Sequence, residues 1–192
     1  ENDTTFDAGA DTITFDSTLT GAKSISIGTD DSATNAVFAD NVTAEDKITL
    51  KGGVKSSDEV KITSNSSYIL ADGSGNRTWN ADSGSLTFAS DTFIKSSGIL
   101  TISSDISFEK NLFVYSGEIS AGSVNLSVGE DFALFGANYS ADDPNYSGGD
   151  TRFSYFGYEN LSEKSDSFSA KLISLKGFIP SVSKCSGVTA DI

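Results

Sequence analysis

The chain has 192 residues, 27 acidic and 13 basic, for a formal net charge of −14. That balance argues against nucleic acid as a partner, because phosphate attraction needs clustered Lys and Arg. Histidine is absent, cysteine occurs once (Cys185), and no apolar run approaches the roughly 20 residues of a membrane span. Most zinc sites, most triad hydrolases, an internal disulfide and membrane insertion by this segment are therefore disfavoured.

Disorder is the rival for so acidic a chain, but 37% hydrophobic and 10% aromatic residues supply enough apolar surface to fold. The length suits one domain spanning residues 1–192. With no initiator Met, Glu1 reads as a cut end, a mature N-terminus or a piece of a longer chain.

Along the chain the apolar residues fall in short alternating runs. They are "TITF" at 12–15, "SISI" at 24–27, "KITL" at 47–50, "VKI" at 60–62 and "YIL" at 68–70, then "LTF" at 86–88, "LTI" at 100–102 and "ISF" at 106–108. Period two with β-branched and aromatic residues predicts strands. No stretch carries apolar residues at helical spacing, and "TAEDK" at 43–47 reads as a turn. Tyr68, Trp79 and Leu86 fall on successive faces, while 29–35 and 71–76 read as loops bulging from corners. The chain is expected to be all-β.

Spacing carries the architecture. Runs centred on Thr101, Ser107, Phe113, Ser120, Leu126 and Ala133 recur every six or seven residues. Aligning every third run lays "LTI" on "ISA", "ISF" on "VNL" and "LFV" on "FAL". Three strands per repeat, with about 18–20 residues in each coil, predicts a parallel β-helix, or β-solenoid. Corners are expected at 103–105, 109–111, 116–118, 121–123 and 129–131, where Gly, Asn or Asp takes the bend. One coil buries too little to fold alone, so the coils must stack. The rival, an antiparallel sandwich, needs strands about 8–12 residues apart with hairpin turns. Only Pro144 and Pro180 interrupt the backbone donors, as suits strands that are nearly all interior.

The alternation fails over 138–166, where four of the six tyrosines collect, and returns at 169–175. This segment reads as a Tyr-rich inserted loop on the side of the solenoid. Loops on rigid scaffolds often carry binding, and Tyr and Arg favour recognition surfaces. Tyr146, Arg152, Tyr155 and Tyr158 are the candidate binding residues, with Phe153 and Phe156 anchoring the loop. The competing reading is a cap whose aromatics only pack on the scaffold.

The words "SSGILTISSDISF" at 96–108 and "SGEISAGSVNLSVGEDFALFG" at 116–136 resemble the coils of filamentous-haemagglutinin-like surface proteins and autotransporter passenger regions of Gram-negative bacteria. The resemblance implies a right-handed β-helix, secreted and displayed on the cell surface (outer membrane-associated), serving adhesion or as a stalk. It has no counterpart here to the family's N-terminal secretion domain.

Other chemistry is weaker. Asp30–Asp31, Asp142–Asp143 and Asp150 could hold calcium, but no EF-hand or nonapeptide array accompanies them, and solvated loop charge explains them. Paired carboxylates could serve a glycosidase or lyase, for which Arg77, Arg152 and scattered lysines are a poor basic supply. Eight Asn-x-Ser/Thr triplets, at Asn2, Asn41, Asn65, Asn76, Asn125, Asn138, Asn145 and Asn160, are expected in so Ser/Thr-rich a chain. With Ser107 laid over Asn125 and Phe113 over Ala133, no outward hydroxyl ladder is expected. No catalytic residue, metal or cofactor is assigned. The expectation is a non-catalytic structural or adhesion segment whose partner is a host or cell-surface protein or a glycan. Alternatives are a carbohydrate-active β-helix enzyme (lyase or glycosidase) and an all-β sandwich binding module.

Overall fold

The computed structural model describes residues 2–30, 33–121, 124 and 126–134, together with strands Asn138–Ser140, Phe153–Ser154 and Phe168–Lys171. Among these residues the chain is all strand and turn, wound into a parallel β-solenoid of about six turns. Each turn supplies one short strand to each of three columns, and each strand pairs in parallel with the strand one turn earlier.

The first column begins Thr4–Phe6, Ile25–Ile27, Ile48–Leu50 and Ile69–Gly73. It continues through the first part of Thr92–Ile102, the first part of Leu112–Ser120 and the end of Leu126–Leu134. The second column holds Thr12–Phe15, Asn35–Phe38, Val54–Ser56 and Arg77–Ala81, the later parts of the two long strands, and Asn138–Ser140. The third holds Leu19–Ala22, Val42–Ala44, Val60–Ser64, Leu86–Phe88 and Ile106–Phe108, the start of Leu126–Leu134, and Phe168–Lys171. Phe153–Ser154 pairs antiparallel with Asn138–Ser140.

The first-column register runs Thr4, Ile25, Ile48, Ile69, Thr92, Leu112, Phe132. A turn therefore takes about 21 residues. The last two steps match the shorter coil read from the sequence. The turns that start at Ile25 and Ile69 are longer, the first between its first- and second-column strands and the second at the corner 82–85.

Two of the three sequence alignments hold in register. Leu100 pairs with Ile119 and Thr101 with Ser120, and Leu112, Phe113 and Val114 pair with Phe132, Ala133 and Leu134. The third is corrected: Ile106, Ser107 and Phe108 pair with Leu126, Ser127 and Val128, two residues beyond "VNL". A slip of two keeps every side chain on its face, so alternation alone cannot detect it. Before Leu126, the Val124 amide donates to the Ala121 carbonyl, 3.2 Å away.

The core is a set of stacked interior positions. Ile25, Ile48, Ile69 and Leu112 lie in line and are fully buried, as are Val60, Leu86, Ile106 and Leu126. Trp79, Phe88 and Phe108 stack inside, with Trp79–Phe88 centroids 4.6 Å apart and Phe88–Phe108 5.1 Å. Corner side chains stitch the turns: Asn35 Oδ1 accepts from the Gly53 amide at 2.7 Å, and Asn76 Oδ1 from the Ile99 amide at 3.0 Å.

The predicted corners at 103–105 and 109–111 separate strands, whereas 116–118 lies inside a long strand. There the chain bends through a bulge at Gly117, whose φ is 80°. A Cβ at Gly117 would lie 2.6 Å from the Gly98 carbonyl oxygen, so the turns approach too closely for a side chain.

Candidate functional site

Strand alternation sends every second side chain of the first column outward. The outward pairs, turn by turn, are Thr49 and Lys51, Leu70 and Asp72, Phe93 and Lys95, then Phe113 with the bulged Tyr115. The outer face thus changes from hydroxyl-bearing to aromatic as the turns advance. Tyr68 meets Phe93 edge-on at 5.1 Å, Phe93 meets Phe113 at 5.1 Å, and Phe93 stacks on Tyr115 at 6.0 Å. Tyr115 is 45% exposed.

Beside this platform, at the corner leading to the second column, lies a shallow pocket of about 440 Å³. Asp30, Lys51, Asp72, Lys95, Ser96 and Ser97 supply its polar groups. Lys51 Nζ donates to Asp30 Oδ1 at 2.7 Å and Asp72 Oδ2 at 3.3 Å, which ties together three successive turns. Burial pulls the Lys51 pKa down, but the hydrogen bonds and charges of the two carboxylates outweigh it and hold it above the usual lysine value. The Asp30 carboxyl is held below its usual value, chiefly by the hydrogen bond from Lys51 and then by its charge.

Behind Gly73 the Arg77 guanidinium is nearly buried. Its Nη1 donates to the Lys51 carbonyl at 3.1 Å, while Nε has no hydrogen-bond partner among the described residues. Burial pushes the Arg77 pKa down, and Asp72 opposes it. Lys95 makes no ion pair among the described residues.

A second groove of about 410 Å³ flanks the platform on its other side, at the corner arriving from the third column. Asp91 Oδ1 accepts from Asn111 Nδ2 at 2.9 Å there, and Lys110 pairs with Glu130 at 2.9 Å.

The binding residues expected from sequence, Tyr146, Arg152, Tyr155 and Tyr158, lie outside the described residues, as do Phe156, Asp31, Asp142, Asp143, Asp150 and Cys185. Of the expected loop, strands Asn138–Ser140 and Phe153–Ser154 are described. No cluster of three or more His, Cys, Asp or Glu able to hold a metal ion occurs among the described residues. Besides Asn76, two further Asn-x-Ser/Thr asparagines bridge turns: Asn41 Oδ1 accepts from the Lys61 amide at 2.7 Å, and Asn65 Nδ2 donates to Glu45 at 3.2 Å.

The register also corrects the expected lack of hydroxyl rows. Thr87, Ser107 and Ser127 align outward in the third column, and Thr78, Thr101 and Ser120 in the second. Sequence reading passed over both the platform and its lysines. The outward Phe in "TFI" and "LFV" was the available signal.

No protein-family model, curated protein or solved structure matched this chain in comparison.

Proposed function

We propose that this chain is a non-catalytic structural and adhesive segment of a secreted or surface-displayed bacterial protein, of the filamentous-haemagglutinin-like, autotransporter-passenger kind. One observation carries the reading. In the pocket lined by Asp30, Lys51, Asp72 and Lys95, both carboxylates are committed to Lys51, which holds Asp30 and Asp72 across three turns. A general base at neutral pH needs a lysine with a lowered pKa, and a general acid a carboxyl with a raised one. Lys51 and Asp30 are shifted the opposite way. These groups act as rungs of a rod. The stacked columns present a long regular surface, as display and adhesion require.

The test is two assays in parallel. Antibodies against the purified chain should label intact, unpermeabilised source cells. The chain incubated with a panel of neutral and acidic polysaccharides should release no new reducing or unsaturated ends. Labelling only after lysis would overturn the surface reading, and turnover of any polysaccharide would establish the enzyme alternative.

A further inference from the structure

We infer that the outer face of the first column packs against the same face of a second copy of this chain, about a two-fold axis parallel to the solenoid axis. The inference goes beyond the adhesive reading and does not depend on it.

The row Asp91, Phe93, Lys95 carries the argument. These residues stand at alternate positions along one turn, so they share the outer face. Asp91 lines the groove on one side of that face, and Lys95 lines the pocket on the other. Across the face the row therefore reads acid, aromatic, base. Asp91 accepts from Asn111 at 2.9 Å, but neither Asp91 nor Lys95 makes an ion pair among the described residues.

Such a row is complementary to itself in one orientation. A two-fold axis along the solenoid lays each edge of one face on the opposite edge of the other, at equal height. Phe93 then meets Phe93, and each Asp91 meets the Lys95 of the other copy. A two-fold axis running across the solenoid, over the same row, would set Asp91 on Asp91 and Lys95 on Lys95. Charge selects the first arrangement.

The neighbouring rows agree. Leu70 and Phe113 are in register with Phe93, so each meets its own copy along the axis and extends the apolar centre. In the row of Leu70, Tyr68 faces the carboxylate of Asp72. In the row of Thr49, Lys47 faces a cluster in which Lys51 is held by two carboxylates, Asp30 and Asp72. The row of Phe113 has the uncharged Asn111 and Tyr115 at its edges, with Tyr115 45% exposed. The pocket edge carries two lysines and two aspartates, so it is neutral in a chain of net charge −14 and does not repel a copy of itself. A face one strand wide is small beside the roughly 800 Å² per partner of a standard interface, so the dimer is a weak one.

The test is sedimentation of the purified full chain over a range of concentrations, with cross-linking by a carbodiimide, which joins a carboxylate directly to an amine. A concentration-dependent monomer–dimer equilibrium is expected. Within one copy Asp91 and Lys95 are four residues apart on an extended strand, about 13 Å, too far for a direct amide link. An Asp91–Lys95 link found by mass spectrometry therefore reports two copies in the stated orientation. Lys95→Glu, at an exposed position, should melt as the parent does and raise the dissociation constant at least roughly tenfold. Adding Asp91→Lys to it should restore the dimer. A chain that stays monomeric up to millimolar concentration, a dimer indifferent to Lys95→Glu, a folded double variant that stays monomeric, or a dimer without the Asp91–Lys95 link would overturn the inference. So would a monomer that binds cellohexaose in calorimetry and loses it on Phe93→Ser, which would assign the face to a glycan. The parent cross-link decides the matter even where Asp91→Lys, by losing Asn111, fails to fold.

Discussion

Lys51 joins carboxylates from the turn before it and the turn after it, and its stability contribution has a defined pH window. Its folded pKa lies above the ordinary 10.5. The contribution is therefore complete below 10.5 and is lost as pH rises through the folded value. Lys51→Gln should cost about 1 kcal/mol or less at neutral pH, since Asp30 is exposed. In denaturant titrations the gap to the parent should close above pH 10.5. A gap unchanged through that range would mean the ammonium is not the stabilising group. Gly117 tests the backbone: Gly117→Ala combines a left-handed φ of 80° with a Cβ 2.6 Å from the Gly98 oxygen. It should cost at least about 2 kcal/mol by chemical denaturation. A neutral effect would show that the bend has room to relax.

At the scale of the strand, the interior aromatic stack sets the hierarchy. Phe88 is fully buried between Trp79 and Phe108, so Phe88→Ala should cost about 3–5 kcal/mol. The outward Thr87→Ala beside it should change stability by no more than about 0.5 kcal/mol. Comparable costs at both positions would contradict the assigned faces.

The strands themselves were legible because alternation marks inside from outside one residue at a time. "LTI" over "ISA" was legible too, since the interior residues fix which side chains can stack. The error at "ISF" was a slip of two residues, which leaves the alternation unbroken, and it hid the row Thr87, Ser107, Ser127. The candidate site was less legible for a related reason. Phe93 and Phe113 each read as outward, but their adjacency depends on register across turns. The Lys51 pocket joins residues 30, 51, 72 and 95, which no local pattern connects.

At the scale of the whole molecule, each described turn contacts its neighbours through continuous columns, so stability should accumulate turn by turn. Register makes that claim sharp. Ile48 pairs with Ile69 and Ile69 with Thr92, so excising residues 69–91 lets Thr92 take the place of Ile69 on Ile48. Excising 69–80 instead delivers Ala81 to that position and puts every following strand in the wrong column. The most direct measurement is far-UV circular dichroism with thermal melting of both deletions beside the parent. The whole-turn deletion should keep the β spectrum and one cooperative melt at a lower temperature, and the half-turn deletion should not fold. Two deletions that behave alike, whether both folded or both unfolded, would contradict a fold built from interchangeable stacked turns.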